Sequence, residues 1–438
     1  MKKHYKIVTY GCQMNVHESE KLAGMLESLE YENTEDNEQA DIIVFNTCTI
    51  REGAVDRAFG NIGALKKLKA KKKDLIIAVG GCMTQNKIDA DRLKHTFPFV
   101  DIIFGTHNLH KFKQYVIDFE LNKERILTIW DDEGIVPPMT EIDRTSGLNA
   151  WVNISFGCNN YCSYCIVPYV RGRERSRQMD EIVAECKALI KDGYKIITLL
   201  GQNVNSYGND IEDSSVTFAN LLKQISSLEG DFRLTFMTSH PKDLKDEVID
   251  VIASSPKIIK AVHLPVQSGS NTILKAMNRR YTVEHYLTII DKLRRAIPDI
   301  ALSSDFIVGF PGETEEDFEA TKNLVKTVGY DFIFAYIYSK RTGTSASTMQ
   351  NQVPYSIKNR RVNELLKLQK EISAETLKKF IGKEYEILID EQKNNKFYGR
   401  IPSGRLVELD ENNLKVGTFK TIKILDINSK KITGKTLN

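Results

Sequence analysis

The chain has 438 residues, 41% of them hydrophobic and 27% charged, with a net charge of only +3. That is ordinary globular composition, enough chain for roughly three domains, and no apolar run approaches the ~20 residues that span a bilayer. The start, Met-Lys-Lys-His-Tyr-Lys-Ile-Val-Thr-Tyr, reads as a first strand and not a signal peptide. Seven cysteines are an odd number, and in a chain without a signal they point to metal ligands before bridges. The expectation is a cytoplasmic protein with no membrane partner.

In the first part, residues 4–10, 41–45 and 75–79 are short apolar runs that predict buried parallel strands. They are followed by Gly11-Cys12, by Asn46-Thr47-Cys48 and by Gly80-Gly81-Cys82. Helical patterns at 19–29 and 53–69 lie between them, and 101–105 predicts a fourth strand. The lysines at 66, 67, 69, 71, 72 and 73 read as a solvated helix end. Alternating strands and helices imply a parallel sheet with right-handed crossovers, and ligands bind outside the carboxyl edge of such sheets. Cys12, Cys48 and Cys82 therefore converge on one edge by topology. Three buried structural cysteines are the competing explanation.

The next apolar run, 151–156, leads into Gly157-Cys158-Asn159-Asn160-Tyr161-Cys162-Ser163-Tyr164-Cys165. Three thiolates within eight residues form one metal-binding loop, one ligand short of the four that close a structural zinc or iron–sulfur site. A zinc knuckle without its fourth ligand, or a disulfide with a spare thiol, competes with that reading. The spacing C-x-x-x-C-x-x-C, with Tyr164 before the last cysteine, resembles the radical SAM signature. That resemblance implies a 4Fe–4S cluster whose open iron binds S-adenosylmethionine and cleaves it to a 5′-deoxyadenosyl radical. Cys186, within a helical pattern at 180–191, reads as a packed core thiol. Arg171, Arg173, Arg175 and Arg177 follow the loop as a basic run facing an anionic substrate.

Strand patterns recur at 195–200, 232–237, 261–265, 301–308 and 331–338, separated by helical stretches at 218–228, 283–296 and 315–326. With the strand before Cys158 they make six βα units, too few for a closed eight-stranded barrel, so an open partial (βα)6 barrel is expected. Polar and glycine-rich segments cluster after these strands, where such barrels hold their active sites. By the radical SAM resemblance they form the cofactor pocket: Gly201 and Gln202 near the methionine amino group, Ser239, Gln267 and Asp305 as polar contacts, Gly309 where adenine packs on backbone. Tyr164 belongs with them. His240 and His263 read equally as pocket or structural histidines.

A charged helix at 356–380 leads to short strands at 384–389, 396–401, 405–409, 418–425 and 431–435. They predict a small OB-like β-barrel. Residues 375–438 carry 13 Lys and Arg against 9 Asp and Glu, and Phe397, Tyr398 and Phe419 interleave with Lys396, Arg400 and Lys420. Basic strands with aromatics suit nucleic acid, with Lys396 and Arg400 as candidate contacts, and a structural cap is the competing explanation. The placement resembles a TRAM domain.

The three parts together resemble the radical SAM methylthiotransferases over almost the whole chain: 1–120 as the amino-terminal domain, 121–148 as linker, 149–355 as the radical SAM barrel, 356–374 as connecting helix and 375–438 as the TRAM domain. Tyr10-Gly11-Cys12-Gln13-Met14-Asn15, Asn46-Thr47-Cys48-Thr49-Ile50-Arg51-Glu52 and Val167-Pro168-Tyr169-Val170-Arg171-Gly172-Arg173-Glu174-Arg175-Ser176-Arg177 look like the branch acting on isopentenylated tRNA. His17-Glu18 and Thr49 depart from its usual pattern. The resemblance implies two 4Fe–4S clusters and two S-adenosylmethionine molecules per turnover. The cluster on Cys158, Cys162 and Cys165 generates the radical that takes hydrogen from C2 of N6-isopentenyladenosine beside the anticodon. The cluster on Cys12, Cys48 and Cys82 presents the sulfur that is methylated and transferred. A splayed anticodon loop, an electron donor such as flavodoxin or ferredoxin, and a monomer are also implied. The alternatives are a methylthiotransferase for threonylcarbamoyladenosine in tRNA or for a ribosomal-protein aspartate, and a non-catalytic metal-bearing RNA-binding protein.

Overall fold

The computed structural model describes residues 2–49, 53–130, 142, 144, 147–411, 413–427 and 431–437. The first part runs β1 (Lys3–Thr9), α1 (Gln13–Glu27), β2 (Tyr31–Asn33), β3 (Ile42–Thr47), α2 (Ala54–Ala64), α3 (Lys66–Lys71), β4 (Ile76–Gly81), α4 (Cys82–Gln85), α5 (Lys87–Thr96), β5 (Ile102–Phe104), α6 (Phe112–Asn122) and β6 (Ile126–Thr128). Its strands form one parallel sheet in the order β2-β1-β3-β4-β5-β6. Both faces are covered, which is why the strands read as unbroken apolar runs. Ile42, Val44, Ile76 and Ala78 pack with Leu22, Leu26 and Val116. Ile43, Phe45, Ile77 and Val79 pack with Phe59, Ile62 and Leu93 on the other side.

Four expectations are corrected here. Helix α1 starts at Gln13, directly after Cys12, and not near 19. Its first turns escaped the periodicity because their buried residues are polar: Asn15, His17, Glu18 and Glu20 are all buried. The stretch 53–69 is two helices broken at Leu65. Residues 126–128, expected in the linker, are the sixth strand of the sheet; most of 121–148 beyond them, like Ile50-Arg51-Glu52, lies outside the described residues. The lysine run is not wholly solvated, since Lys69 pairs with Asp101 at 2.8 Å and Lys72 with Asp41 at 2.9 Å.

The central part continues with β7 (Asn149–Asn153), β8 (Ser155–Phe156), α7 (Val167–Arg171), β9 (Arg175–Ser176), α8 (Met179–Lys191), β10 (Ile196–Leu200), α9 (Phe218–Ser227), β11 (Arg233–Phe236), α10 (Asp246–Ser254), β12 (Ala261–His263), α11 (Asn271–Ala276), α12 (Val283–Ala296), β13 (Ala301–Val308), α13 (Glu315–Val328), β14 (Phe332–Ile337) and α14 (Tyr355–Lys378). Two parallel three-stranded sheets, β11-β10-β7 and β12-β13-β14, are joined through the bridge between Leu234 and Ile258. Among the described residues β7 and β14 do not pair with each other, so the six-stranded barrel is open. Alternate side chains such as Val152, Ile197, Leu234, Val262, Leu302 and Ile333 pack outward beneath the helices. Thr314 and Asp317 close a capping box at the start of α13. The expected strand 151–156 breaks at Ile154. Its last two residues pair antiparallel with β9, so the cysteine loop is an excursion clasped at both ends.

The last part is a closed five-stranded barrel, β15 (Glu384–Lys393), β16 (Lys396–Arg400), β17 (Leu406–Leu409), β18 (Phe419–Ile427) and β19 (Ile432–Thr436), in the order β15-β16-β17-β19-β18. Ile387, Ile389, Phe397, Val407, Leu409, Ile422 and Ile424 fill it. Asn394 and Asn395, both at positive φ, make the β15–β16 hairpin turn that right-twisted strands require. The expected architecture, a parallel α/β sheet, an open (βα)6 barrel and a small closed β-barrel, is the one observed.

Candidate active site

The amino-terminal cysteines sit where the strand ends deliver them. Cys12 caps α1 after β1, Cys48 follows β3, and Cys82 opens α4 directly after β4. Gly11 has φ +115°, and a Cβ there would stand 2.8 Å from the Cys48 Cβ, so only glycine lets the two strand ends meet this closely. Gly81 has φ +98°, and a Cβ there would stand 2.4 Å from the Thr47 carbonyl oxygen. The Asn15 amide donates to the carbonyls of Tyr10 and Thr47, both at 2.9 Å, and ties the ends of β1 and β3 together. The Cys12 thiol lies 3.6 Å from the Asn15 Oδ1. Burial pushes the Cys82 thiol up to about 12, and neighbouring Cys48 and Cys12 push the same way, while Arg171 opposes them. A bound cation would invert that balance and hold the thiolate.

The loop cysteines are held by a different set. Gly172 accepts from the Cys158 N–H at 3.1 Å, and Asn160 donates to the Cys158 sulfur at 3.5 Å. Ser163 is pinned by its N–H to Met277 O at 3.0 Å and by its hydroxyl to Ala276 O at 2.8 Å. Asn278 donates to the Tyr161 carbonyl at 2.9 Å. Arg279 is buried; it lies 3.4 Å from the Cys162 sulfur and 3.5 Å from the Tyr164 hydroxyl, and donates to Pro265 O at 2.6 Å. The Tyr164 ring packs with Ile273, Met277, Phe310 and Tyr338. Burial, above all, pushes Cys158 to about 11 and Cys165 to about 12. All seven cysteines lie among the described residues and none is in a disulfide; Cys186 is buried in the barrel core. Among the described residues no three His, Cys, Asp or Glu side chains close on a single ion. A four-iron cubane spreads its ligands wider than an ion does, and two sets of three thiols suit that group's ligand chemistry.

The two sites share one interface. Ile166 and Val170 pack on Cys82, and Thr106 donates to the Val170 carbonyl at 2.7 Å. The Arg171 Nε lies 3.1 Å from the Cys82 sulfur, while its Nη groups bind Glu18 and Asn15 on α1. From the barrel, Gln202 reaches to 2.9 Å from the Met14 sulfur. Nearby, Glu185 is gripped by Arg144 and Arg177, each at 2.7 Å.

Among the described residues, buried polar atoms without a protein partner gather at the carboxyl ends of the barrel strands. They include both amide atoms of Asn153, Ser155 Oγ, Asn203 Oδ1, Asn205 Nδ2, Ser239 Oγ, His240 Nε2 and Gln267 Oε1. Burying such groups unpaired is costly, and a polar ligand at these strand ends would supply the partners they lack. Gly201 lies under Ser155, whose hydroxyl a Cβ would approach to 2.6 Å. Thr238 and Gln267 hold positive φ, the local strain common at binding sites. Asp305 stands 3.4 Å from the His263 Nε2. His240 accepts from the Lys242 N–H through Nδ1, which leaves Nε2 as the protonated nitrogen; burial keeps its pKa far below the usual histidine range. Gly309 differs from expectation: the Lys358 side chain already covers it, at 2.3 Å from where a Cβ would be, and its N–H goes to Glu313.

Half of the arginine run is corrected. Arg171 and Arg177 are buried and paired inside the protein, Arg171 with Glu18 and Cys82 and Arg177 through Nη1 with Glu185 and Asn153 O, so neither faces an RNA backbone. Arg173 is exposed and Arg175 half-buried. Lys396 pairs with Glu408 at 2.5 Å, and Arg400 is exposed. Two of the interleaved aromatics also point elsewhere: Phe397 is core, and Phe419 lies under Arg233, 4.2 Å from its ring centre. Sequence reasoning missed Arg279, Asn15 and Glu18, which no spacing rule singles out. It also missed Tyr161 and Tyr169, exposed and edge to face at 6.1 Å beside the cysteine loop.

Comparison with known proteins fits this geometry. Residues 152–325 match the radical SAM superfamily, and 4–105 match a group described as Uncharacterized protein family UPF0004. A tRNA-2-methylthio-N(6)-dimethylallyladenosine synthase of Clostridium botulinum (strain Langeland) is 51% identical over 434 residues, 98% of this chain and 96% of that protein. The like-named protein of Caldicellulosiruptor saccharolyticus is 49% identical, covering 99% and 93%. Among solved structures, the radical S-adenosylmethionine methyltransferase TsrM from Kitasatospora setae superposes with TM-score 0.58 at 15% identity, over 79% of this chain and 77% of that one. The cobalamin-dependent radical enzyme OxsB gives TM-score 0.53 at 14% identity, over 84% and 56%; at such identities both speak for the fold alone. Radical SAM membership implies a 4Fe–4S cluster and S-adenosylmethionine. The chain is a radical SAM enzyme and belongs to the tRNA-2-methylthio-N(6)-dimethylallyladenosine synthase family.

Proposed function

We propose that this enzyme methylthiolates C2 of N6-isopentenyladenosine next to the tRNA anticodon. The observation that carries the reading is the meeting of two three-cysteine sites across one interface, with Arg171 reaching from the loop of one to a cysteine of the other. Cys158, Cys162 and Cys165 would hold the radical SAM cluster, and Cys12, Cys48 and Cys82 an auxiliary one. When bound, the first supplies one-electron cleavage of S-adenosylmethionine and the second supplies the sulfur, with two S-adenosylmethionine molecules used per turnover.

The chain's own residues provide binding and shielding. Ser239, Gln267 and the Asn153–Ser155 pair offer unpaired hydrogen-bonding atoms to the amino acid and ribose of the cofactor, with Gln202 and Asp305 at the rim. Tyr164 and Arg279 wall the loop and keep water from the thiolates. Arg173, Arg175, Lys396 and Arg400 are the candidates for the RNA backbone, which approaches as a single-stranded loop with its base splayed out. A flavodoxin- or ferredoxin-like donor supplies the electron, and the enzyme works as a monomer in the cytoplasm. Among the described residues no helix is long and apolar enough to cross a membrane.

Anaerobically reconstituted protein should convert isopentenylated tRNA to the methylthio product, read by mass spectrometry of the nucleosides. Activity confined to threonylcarbamoyl-tRNA or to a ribosomal protein would overturn the substrate. Absence of 5′-deoxyadenosine after incubation with S-adenosylmethionine and dithionite would overturn the radical chemistry.

A further inference from the structure

We propose that Arg171 is a positioning residue for the amino-terminal triad, biasing the reduction potential of the group held there and tying it to the radical SAM loop. This rests on the reading above that Cys12, Cys48 and Cys82 hold a cluster.

The guanidinium is buried, at 4% exposure, in a site where charge is poorly screened. All three of its nitrogens are engaged by the triad's surroundings. Nε points at the Cys82 sulfur from 3.1 Å, Nη1 binds Glu18, and Nη2 lies 3.1 Å from Asn15 Oδ1 and 3.0 Å from Glu18. Through Asn15, which holds the Tyr10 and Thr47 carbonyls, the same side chain touches the ends of β1 and β3; through Cys82 it touches the end of β4. One residue is thus connected to all three strand ends that present the cysteines. A lysine could supply the charge but not this fork.

Its backbone belongs to the other site. Helix α7 begins at Val167, just past Cys165, and ends at Arg171, while Ile166 and Val170 press on Cys82. Arg175 donates to the Arg171 carbonyl at 3.3 Å and Thr106 to that of Val170 at 2.7 Å. The donor to Cys82 is therefore set in place by the loop that carries Cys158, Cys162 and Cys165.

An N–H donor and positive charge on a ligating sulfur stabilise the reduced, more negative cluster, and a carboxylate behind them does the opposite. Arg171 and Glu18 should then shift the potential in opposite directions. The test uses full-length protein carrying Cys158→Ala, Cys162→Ala and Cys165→Ala, so that only the amino-terminal triad can take up iron. After anaerobic loading with iron and sulfide, iron content, the electron paramagnetic resonance signal and the midpoint potential are measured. Arg171→Gln should move the potential to more negative values, Arg171→Lys less so, and Glu18→Gln to more positive values.

Unchanged potentials, or shifts of one sign for Arg171→Gln and Glu18→Gln, would overturn the role of Arg171 while leaving the cluster reading intact. Should Arg171→Gln not fold, Arg171→Lys and Glu18→Gln still decide the sign. No iron uptake with Arg171 present would remove the cluster reading, and this proposal with it.

Discussion

One cysteine triad lies within a single clasped loop; the other is assembled from three strand ends far apart in the chain. The first is a local structure, pinned through its own Ser163 to Ala276 and held by Asn278 and Arg279 of the same neighbouring segment. The second exists only once β1, β3 and β4 have paired in register, because Thr9 must stand beside Asn46 and Thr47 beside Gly81. A slip of one residue would turn every strand side chain to the opposite face. The sites therefore differ in what can damage them: loop contacts for one, the integrity of a whole sheet for the other.

The largest expected effects separate the two by chemistry. Cys162→Ala should abolish 5′-deoxyadenosine formation. Cys48→Ala should leave that cleavage running uncoupled and end methylthiolation. If Cys48→Ala also stopped cleavage, the two sites would not be separable in the way the geometry suggests.

Next comes the sheet's own dependence. Gly81→Ala forces a side chain onto the Thr47 carbonyl at a left-handed φ, at a cost of about 3 kcal/mol. It should lower the melting temperature and iron loading at the amino-terminal triad while cysteine-loop iron is retained. Equal loss at both sites would erase the contrast.

A third test probes the clasp alone. Burial pushes the Glu174 carboxyl up to about 7, with Asp210 and Asp243 nearby, while the Ser206 hydroxyl donates to it. Its N–H is held by Asn159 in the cysteine loop at 3.1 Å. Below the unfolded carboxyl pKa both states are protonated. Between there and about 7 the folded state binds the extra proton, so stability falls as pH rises, by on the order of 3 kcal/mol. Glu174→Gln should flatten that slope in denaturant titrations from pH 4.5 to 7.5.

The smallest effect lies outside both triads. Lys396→Ala with Arg400→Ala should weaken tRNA binding a few-fold and reduce its salt dependence, with S-adenosylmethionine cleavage unchanged. The effect is small because Glu408 already neutralises much of Lys396.

The contrast also explains what was legible in the residues alone. The loop triad is visible as spacing, and the strand-end triad becomes visible once each cysteine is seen to follow an apolar run. What stayed hidden is the polar packing between the parts. Asn15, His17 and Glu18 interrupt the helical apolar stripe because they face a buried polar interface, so the start of α1 looked like loop. Arg171 and Arg177 looked like a surface for phosphates because their partners, Glu18 and Glu185, are invisible without the fold. Arg279 arrives at Cys162 from more than a hundred residues away, and no local pattern records such a contact.

Helix α7, only five residues long, works as a gauge block. At about 1.5 Å and 100° per residue, one alanine inserted after Pro168 would lengthen it by a fraction of a turn and swing the guanidinium off the sulfur it now faces. Here a single added residue would throw the distance and the bearing between its two cysteine triads out of true.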